Sequence, residues 1–352
     1  MRQPDDFGIE MNQRSTGIVA INQNPRDVRP QDYDLGASVS ERLKYLINYA
    51  VLAPSTHNTQ PWLFRVNDVT VDILADRSRA LPVIDPDDRG LLISCGAASG
   101  TLSKALDAVG LVHNLTFLPD PYEADLVARI VVQNELAPRT DWKNTLNAIR
   151  SRKTIRNGFK EKVLKKADTQ FIEEHNVVDR AHVRLLDSIK DETELLQAIR
   201  EAESERMTDK HYIRENASWT HPLRNRSRDG IPELANQVGS SQNLWSPHGL
   251  IGDESERISR IAVVVSPSNK PLNWLRSGFE MAVTLVEAAK RGLNAAIIIH
   301  PLQNSDIRGR LQSILNTDWT AQVLLRIGFA EHAPVTARRA LADVMLHPGF
   351  SR

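Results

Sequence analysis

Ala53-Pro54-Ser55-Thr56-His57-Asn58-Thr59-Gln60-Pro61-Trp62 gathers small polar side chains between two prolines. Each proline restricts itself and the residue before it, so the chain between them is held in a turn. Freed N–H groups and hydroxyls in such a turn can face a ligand. Asn58 offers a donor and an acceptor side by side, which suits the edge of a planar heterocycle. A capped turn leading into a strand, with Trp62 in the core, would use the same residues without a ligand. A second segment, Arg150-Ser151-Arg152-Lys153-Thr154-Ile155-Arg156, places four cations in seven residues. Arginine forks match phosphate oxygens and Thr154 adds a neutral donor, so a phosphate dianion suits it. A solvated basic face is the plain alternative. Thr336-Ala337-Arg338-Arg339-Ala340 is either a further cationic clamp or an exposed tail.

Other chemistries lack residues. No G-x-G-x-x-G, Walker loop, G-x-S-x-G elbow or H-E-x-x-H occurs. The ten histidines have no metal-ligand spacing, and the single cysteine, Cys95, excludes an intramolecular disulfide or a cysteine zinc cluster. Lys and Arg (44) balance Asp and Glu (44), which argues against a nucleic-acid partner held by bulk charge. No apolar run approaches the roughly 20 residues of a membrane span. The first ten residues show no basic-then-apolar leader, so a cytoplasmic globular protein is expected. Its 352 residues suggest two domains or one large one, at about 100–200 residues per domain.

Hydrophobic periodicity supplies the elements around these motifs. Leu43, Leu46, Ile47, Ala50 and Val51 share one face of a helix over 40–53 that Pro54 stops. Strands are expected at 62–66 and 69–75, a helix at 89–109, and strands at 111–118 and 126–132. Basic helices follow at 142–150 and 163–175, then a strand at 182–186 and a helix at 192–207. The stretch 211–258 reads as irregular, with Trp219 and Trp245 among its prolines and glycines. So long an irregular segment is usually functional, and a lid or a plain surface loop are both open. A strand (261–265), a helix (272–291), a strand (293–299), a short helix (306–315) and a strand (323–329) complete the chain. Residues 1–37 are expected to form an extended arm.

A repeat underlies this order. Gly96, Gly110, Leu111 and Pro119 recur as Gly278, Gly292, Leu293 and Pro301, each 182 positions on. Ala124, Arg129 and Ile130 recur as Ala321, Arg326 and Ile327, 197 positions on. The pattern predicts two α+β halves, 38–138 and 139–352, packed like subunits of a dimer. In each copy a glycine is expected to open the helix.

Together the motifs resemble the flavin-dependent nitroreductase family, and in particular its fused Acg-type branch. Pro54, Ser55, Asn58, Gln60, Pro61 and Trp62 match the P-S-x-x-N-x-Q-P-W motif. Arg152, Lys153, Thr154 and Arg156 match R-R-[ST]-x-R, with a lysine in the second place that keeps charge but loses a fork. Arg338 and Arg339 match a C-terminal basic pair, and Trp274-Leu275-Arg276-Ser277-Gly278 matches W-L-x-x-G. The similarity covers roughly residues 40–345.

The resemblance implies the nitroreductase fold, duplicated so that one chain mimics the homodimer. It implies FMN as cofactor, one per chain, NADH or NADPH as reductant, and a nitroaromatic, quinone or similar acceptor. Arg152, Lys153, Thr154, Arg156, Arg338 and Arg339 would hold the phosphate. Pro54, Ser55, Thr56, Asn58 and Gln60 would lie at the ring, with His300 either beside it or packed. No protein acid or base is required, because hydride transfer belongs to the flavin. The chain would be a monomer, with further dimerisation open. The competing reading is a protein that stores or sequesters flavin under a lid without turnover, and more specialised flavin chemistry on the same fold also stays open.

Overall fold

The computed structural model describes residues 24–156, 158–174, 180–220, 228–231, 257–330 and 335–346. Ser38 caps the first helix, α1 (Val39–Ala50), accepting from the Glu41 N–H while the Glu41 carboxylate accepts from the Ser38 N–H. After the turn come β1 (Trp62–Asn67), β2 (Thr70–Ala75), the long α2 (Arg89–Ala108), β3 (Leu111–Phe117) and β4 (Leu126–Glu135). The second set comprises α3 (Trp142–Ser151), two single turns α4 (Lys166–Thr169) and α5 (Phe171–Glu174), β5 (His182–Leu185), α6 (Ile189–Arg206) and α7 (Lys210–Trp219). Then follow β6 (Ser259–Ser266), α8 (Pro271–Lys290), β7 (Asn294–Ile298), α9 (Ser305–Ile314), β8 (Thr320–Gly328), α10 (Leu341–Val344) and β9 (Met345–Leu346).

Two antiparallel sheets carry the duplication. Their strand orders are β3-β4-β2-β1 and β7-β8-β6-β5, the same order in both copies. α2 and α8 also start and stop 182 positions apart, as the repeat requires. The expected α+β, internally duplicated architecture is therefore present. The two long helices pack on each other and on both sheets, so one continuous core spans the halves. β6 is buried on both faces. Ala262 and Val264 join that core, while Ile261, Val263 and Val265 join a second one under α6 and α9. This is why the Ile-Ala-Val-Val-Val run has no polar alternation.

The glycines of the repeat do not open the helices. Gly96 and Gly278 each stand at the eighth position, where α2 and α8 cross. A Cβ on Gly278 would fall on the Ile93 carbonyl oxygen, and one on Gly96 on the Leu275 carbonyl oxygen. Gly100 likewise faces the Phe279 carbonyl, 2.6 Å from where its Cβ would lie. Close backbone approach, rather than helix initiation, demands glycine there.

Other expectations change in detail. The helix expected at 163–175 is reduced to the turns α4 and α5, with residue 175 outside the described residues. The stretch 211–258 opens with a helix, α7, and apart from 228–231 and 257–258 the remainder lies outside the described residues. The described part of the arm, from Asn24, makes two 3₁₀ turns, Pro25–Asp27 and Pro30–Asp32, and buries Val28 and Tyr33. The shift of 197 is displaced from the sheet register. Leu115 pairs with Ile130, whereas its counterpart Ile297 pairs with Leu325, two residues before Ile327. A slip of two keeps every side chain on its face, so the chemical similarity survived it. The C-terminal β9 was not expected. It leaves the second half and pairs in parallel with β1.

Gly278→Ala should lower stability by about 1–3 kcal/mol, since two backbones must part. Gly309→Ala, with open space around it inside α9, should raise stability by about 0.5–1 kcal/mol. Urea midpoints of the two variants check both signs.

Candidate functional site

A cavity of about 600 Å³ opens between the halves, within the range that holds small-molecule ligands. Pro54, Ser55, Thr56 and His57 line it from the turn after α1, and Thr154 and Arg156 from the segment after α3. The Ala296–Ile299 wall and His300 close it from the second sheet. The two motifs far apart in the chain thus meet at one space.

Backbone strain marks the turn. His57, Asn58 and Gln60 have φ of 49°, 55° and 53°, left-handed values unusual for residues with a Cβ. Tertiary hydrogen bonds hold them there. Asn58 Nδ2 donates to Gly230 O (3.0 Å) and Ala337 O (3.1 Å), and its Oδ1 accepts from Arg338 Nη1 (2.8 Å). Gln60 Nε2 donates to Arg228 O (2.8 Å), and its Oε1 accepts from the Arg339 N–H (2.8 Å). Both side chains are buried and committed to protein partners, so they position the turn. Arg339 binds back to the first half through Gln60 O, Trp62 O and Asp76. Lys153 is placed by its N–H to Asn294 Oδ1 (2.9 Å), away from the cavity.

Four arginines converge behind the cavity: Arg26, Arg152, Arg156 and Arg338. Arg152 and Arg338 are buried, and Arg26 and Arg156 half-buried. Arg152 Nη2 donates to Leu52 O (2.9 Å), and Arg338 Nη2 to Leu52 O and Ala53 O (3.4 Å each). These carbonyls at the C-terminal end of α1 favour cations. Among the described residues no carboxylate pairs with any of the four. Burial, then the charges of Arg26 and Arg156, holds Arg152 down to about 9. Burial holds Arg156 down to about 10, and Arg338 is well below its ordinary value through burial and the other three cations. Uncompensated buried cations are costly, so the arrangement calls for an anion. Arg338 Nε, Thr56 Oγ1 and His57 Nδ1 are buried without partners, which leaves donors and acceptors for a polar guest.

His57 and His300 stack across the halves, centroids 5.3 Å apart and planes inclined by 17°. His57 Nε2 lies 2.9 Å from Asn216 Oδ1 on α7. Burial pushes His57 down to about 4 and His300 well below the usual range, so both are neutral near pH 7.

Several site residues escaped the sequence. Arg26 was an isolated arginine in a polar arm, with no local signal. Asn216 fell in the stretch read as irregular. Gln197, Arg200, Glu201 and Ser204 of α6 line the cavity, and their i, i+3/i+4, i+7 spacing was a legible polar stripe. Among the described residues no helix is long and apolar enough to cross a membrane, and no cluster of His, Cys, Asp and Glu could hold a metal.

Two copies of one strand order thus enclose a shared interfacial cavity. Over most of its length the chain is similar to proteins named putative NAD(P)H nitroreductases. It is 27% identical over 319 residues to Mycobacterium tuberculosis Acg and 26% identical over 326 residues to Rv3131 of that organism, both named putative NAD(P)H nitroreductases. The alignments cover 86% and 88% of this chain and 94% and 92% of the relatives. It is also 27% identical over 323 residues to the uncharacterized protein Rv3127, covering 86% of this chain and 92% of that one. No family model matches. Among solved structures, the FMN-dependent nitroreductase NfnB of Mycobacterium smegmatis in complex with NADPH aligns with a TM-score of 0.39 and 14% identity, over 60% of this chain and 99% of that one. A nitroreductase-like protein of Bacillus cereus aligns at 0.34 and 15%, over 58% and 96%.

Pyrophosphate should raise the melting temperature by a few degrees through binding to the folded state alone. Arg156→Met should abolish that rise while leaving the anion-free protein no less stable, because one unpaired cation is gone. Acid acts through the histidines. Unfolded chains protonate them near pH 6.5, but folded His57 takes a proton only near pH 4, so stability falls as pH drops through that window. His57→Gln should flatten that fall, read as urea midpoints at about pH 7 and about pH 4.5.

Proposed function

We propose that the cavity binds one FMN per chain and that the protein is an NAD(P)H-dependent oxidoreductase acting on a nitroaromatic, quinone or similar acceptor. The carrying observation is the cluster of four arginines, without a carboxylate partner among the described residues, that reaches the cavity through Arg156. A terminal phosphate dianion supplies the missing charge, and a flat ring system suits the remaining volume beside the Ile297–Ile299 wall. When bound, the flavin would supply the site that accepts and passes on hydride.

The chain's own residues do the rest. Arg156 and Thr154, which line the cavity, would meet the phosphate, while Arg152 beside Thr154 and Arg338 lend charge from behind, and Arg338 holds Asn58. Pro54, Ser55 and Thr56 would face the ring, and the partnerless Thr56 hydroxyl would answer its polar edge. Neutral His57 and His300 close the wall without placing a charge there.

A second reading, flavin storage without turnover, is favoured by the roof. α7 is pinned to the first half, since Glu215 Oε2 accepts from the N–H groups of Val83 (3.1 Å) and Ile84 (2.6 Å). Asp229 pairs with Arg79, and Gly230 and Asn58 are joined by two hydrogen bonds. A roof held this way restricts access by nicotinamide.

Purified protein should be yellow with one flavin per chain, and Arg152→Ala with Arg156→Ala together should be colourless. Anaerobic NADH or NADPH should bleach the flavin rapidly, and a quinone should restore it. Colour that persists for minutes after both reductants is the result expected of a store.

A further inference from the structure

A second cavity, of about 560 Å³, lies between β3, the C-terminal half of α2 and the N-terminal half of α8. The duplication relates it to the first. Ser94, Ala296, Ile297, Ile298 and Ile299 line the first cavity, and their counterparts 182 positions away, Arg276, Asn114, Leu115, Thr116 and Phe117, line the second. The twin space therefore persists, but its chemistry has changed. The Ala-Ile-Ile-Ile wall is replaced by Asn-Leu-Thr-Phe. No counterpart of the four-arginine cluster borders it among the described residues; its cations are Arg276 and, at the edge, Arg180.

What remains is specific in another way. Arg276 and Glu280 both line the cavity from α8, four positions and one helical turn apart, about 5–6 Å between Cβ atoms. Oppositely charged residues at that spacing are within reach of each other. Here neither makes an ion pair or hydrogen bond with any described residue. Of the remaining ionisable wall, His113 is already satisfied. His113 Nδ1 donates to Leu111 O (2.9 Å), and its Nε2 accepts from the Ser103 hydroxyl (2.7 Å). Asp107 lies 3.7 Å from His113, and Arg180 is exposed at the edge. Phe117 and Phe279 stand edge to face, centroids 6.3 Å apart at 83°, each only partly buried. Burial pushes the Glu280 carboxyl up to about 7, against the opposing pull of Arg180, so an incoming cation beside it would restore its charge.

We infer that this twin cavity is a binding site for a small zwitterion with an aromatic side chain, that is, a free aromatic α-amino acid. Arg276 takes the carboxylate, Glu280 the ammonium, and Phe117 with Phe279 the ring. Each charge compensates one left unpaired in the cavity, and the aromatic pair adds an edge or face contact. The assignment does not depend on what fills the first cavity.

Calorimetric titration of the full chain with L-phenylalanine tests it, alongside 3-phenylpropanoate and phenethylamine, which each lack one charge. One saturable site per chain is expected, with both analogues at least about tenfold weaker. Glu280→Gln should erase the preference over 3-phenylpropanoate, and Arg276→Gln the preference over phenethylamine. Flavin content, read from the visible spectrum of the same samples, should not change. The inference is overturned by absence of saturable phenylalanine binding, by equal affinity for the three compounds, or by binding unaltered in both variants. Two flavins per chain would overturn it as well, because the twin would then hold the cofactor.

Discussion

Where α2 and α8 cross, two helix backbones touch through Gly96 and Gly278, with no side chain between them. Helices with ordinary side chains pack with axes about 8–10 Å apart, and only glycine permits a closer approach. That contact brings the two sheets onto one core, and the interfacial cavities open on either side of the helix pair. Arg89 at the start of α2 reinforces it by donating to Gln322 on β8, and Gln322 in turn donates to Ser266 on β6 (2.9 Å). A chain built this way cannot separate its halves without opening its site.

The electrostatics of the site follow from that closure. Buried guanidiniums are stabilised only in part by the carbonyls ending α1, and Arg152 and Arg338 are further depressed by the neighbouring cations. An anion of the kind proposed for the cavity would make up that deficit. The same logic explains why Asn58, Gln60 and Arg339 are spent on protein contacts. They hold the strained turn in left-handed conformations costing of order 1–3 kcal/mol each, and the C-terminal segment is the clamp that over-determines it.

Much of this was legible beforehand. Helix and strand positions followed from periodicity to within a few residues, since α1, α2, α8 and the strands carry apolar faces of unmistakable spacing. The 182-residue shift announced the duplication. Less could be read where stability comes from tertiary contact. The helix expected at 163–175 has periodic apolar residues, yet only two single turns form. β9 is two residues long and has no pattern of its own, so its pairing with β1 exists only because the C-terminal segment crosses back.

Residue type and spacing by themselves determined the duplicated α+β class, the turn at Pro54–Trp62 and the cationic segment at Arg152–Arg156. Those are local properties, written in periodicity, proline constraint and charge. Only the tertiary structure decided that Arg26 joins the cluster, that Asn58 and Arg339 position rather than face the cavity, and that an altered twin cavity persists. Each of these depends on which groups are left without a partner once the chain closes. Hydrogen-bond and charge compensation is a sum over neighbours distant in sequence, and no window of sequence contains it.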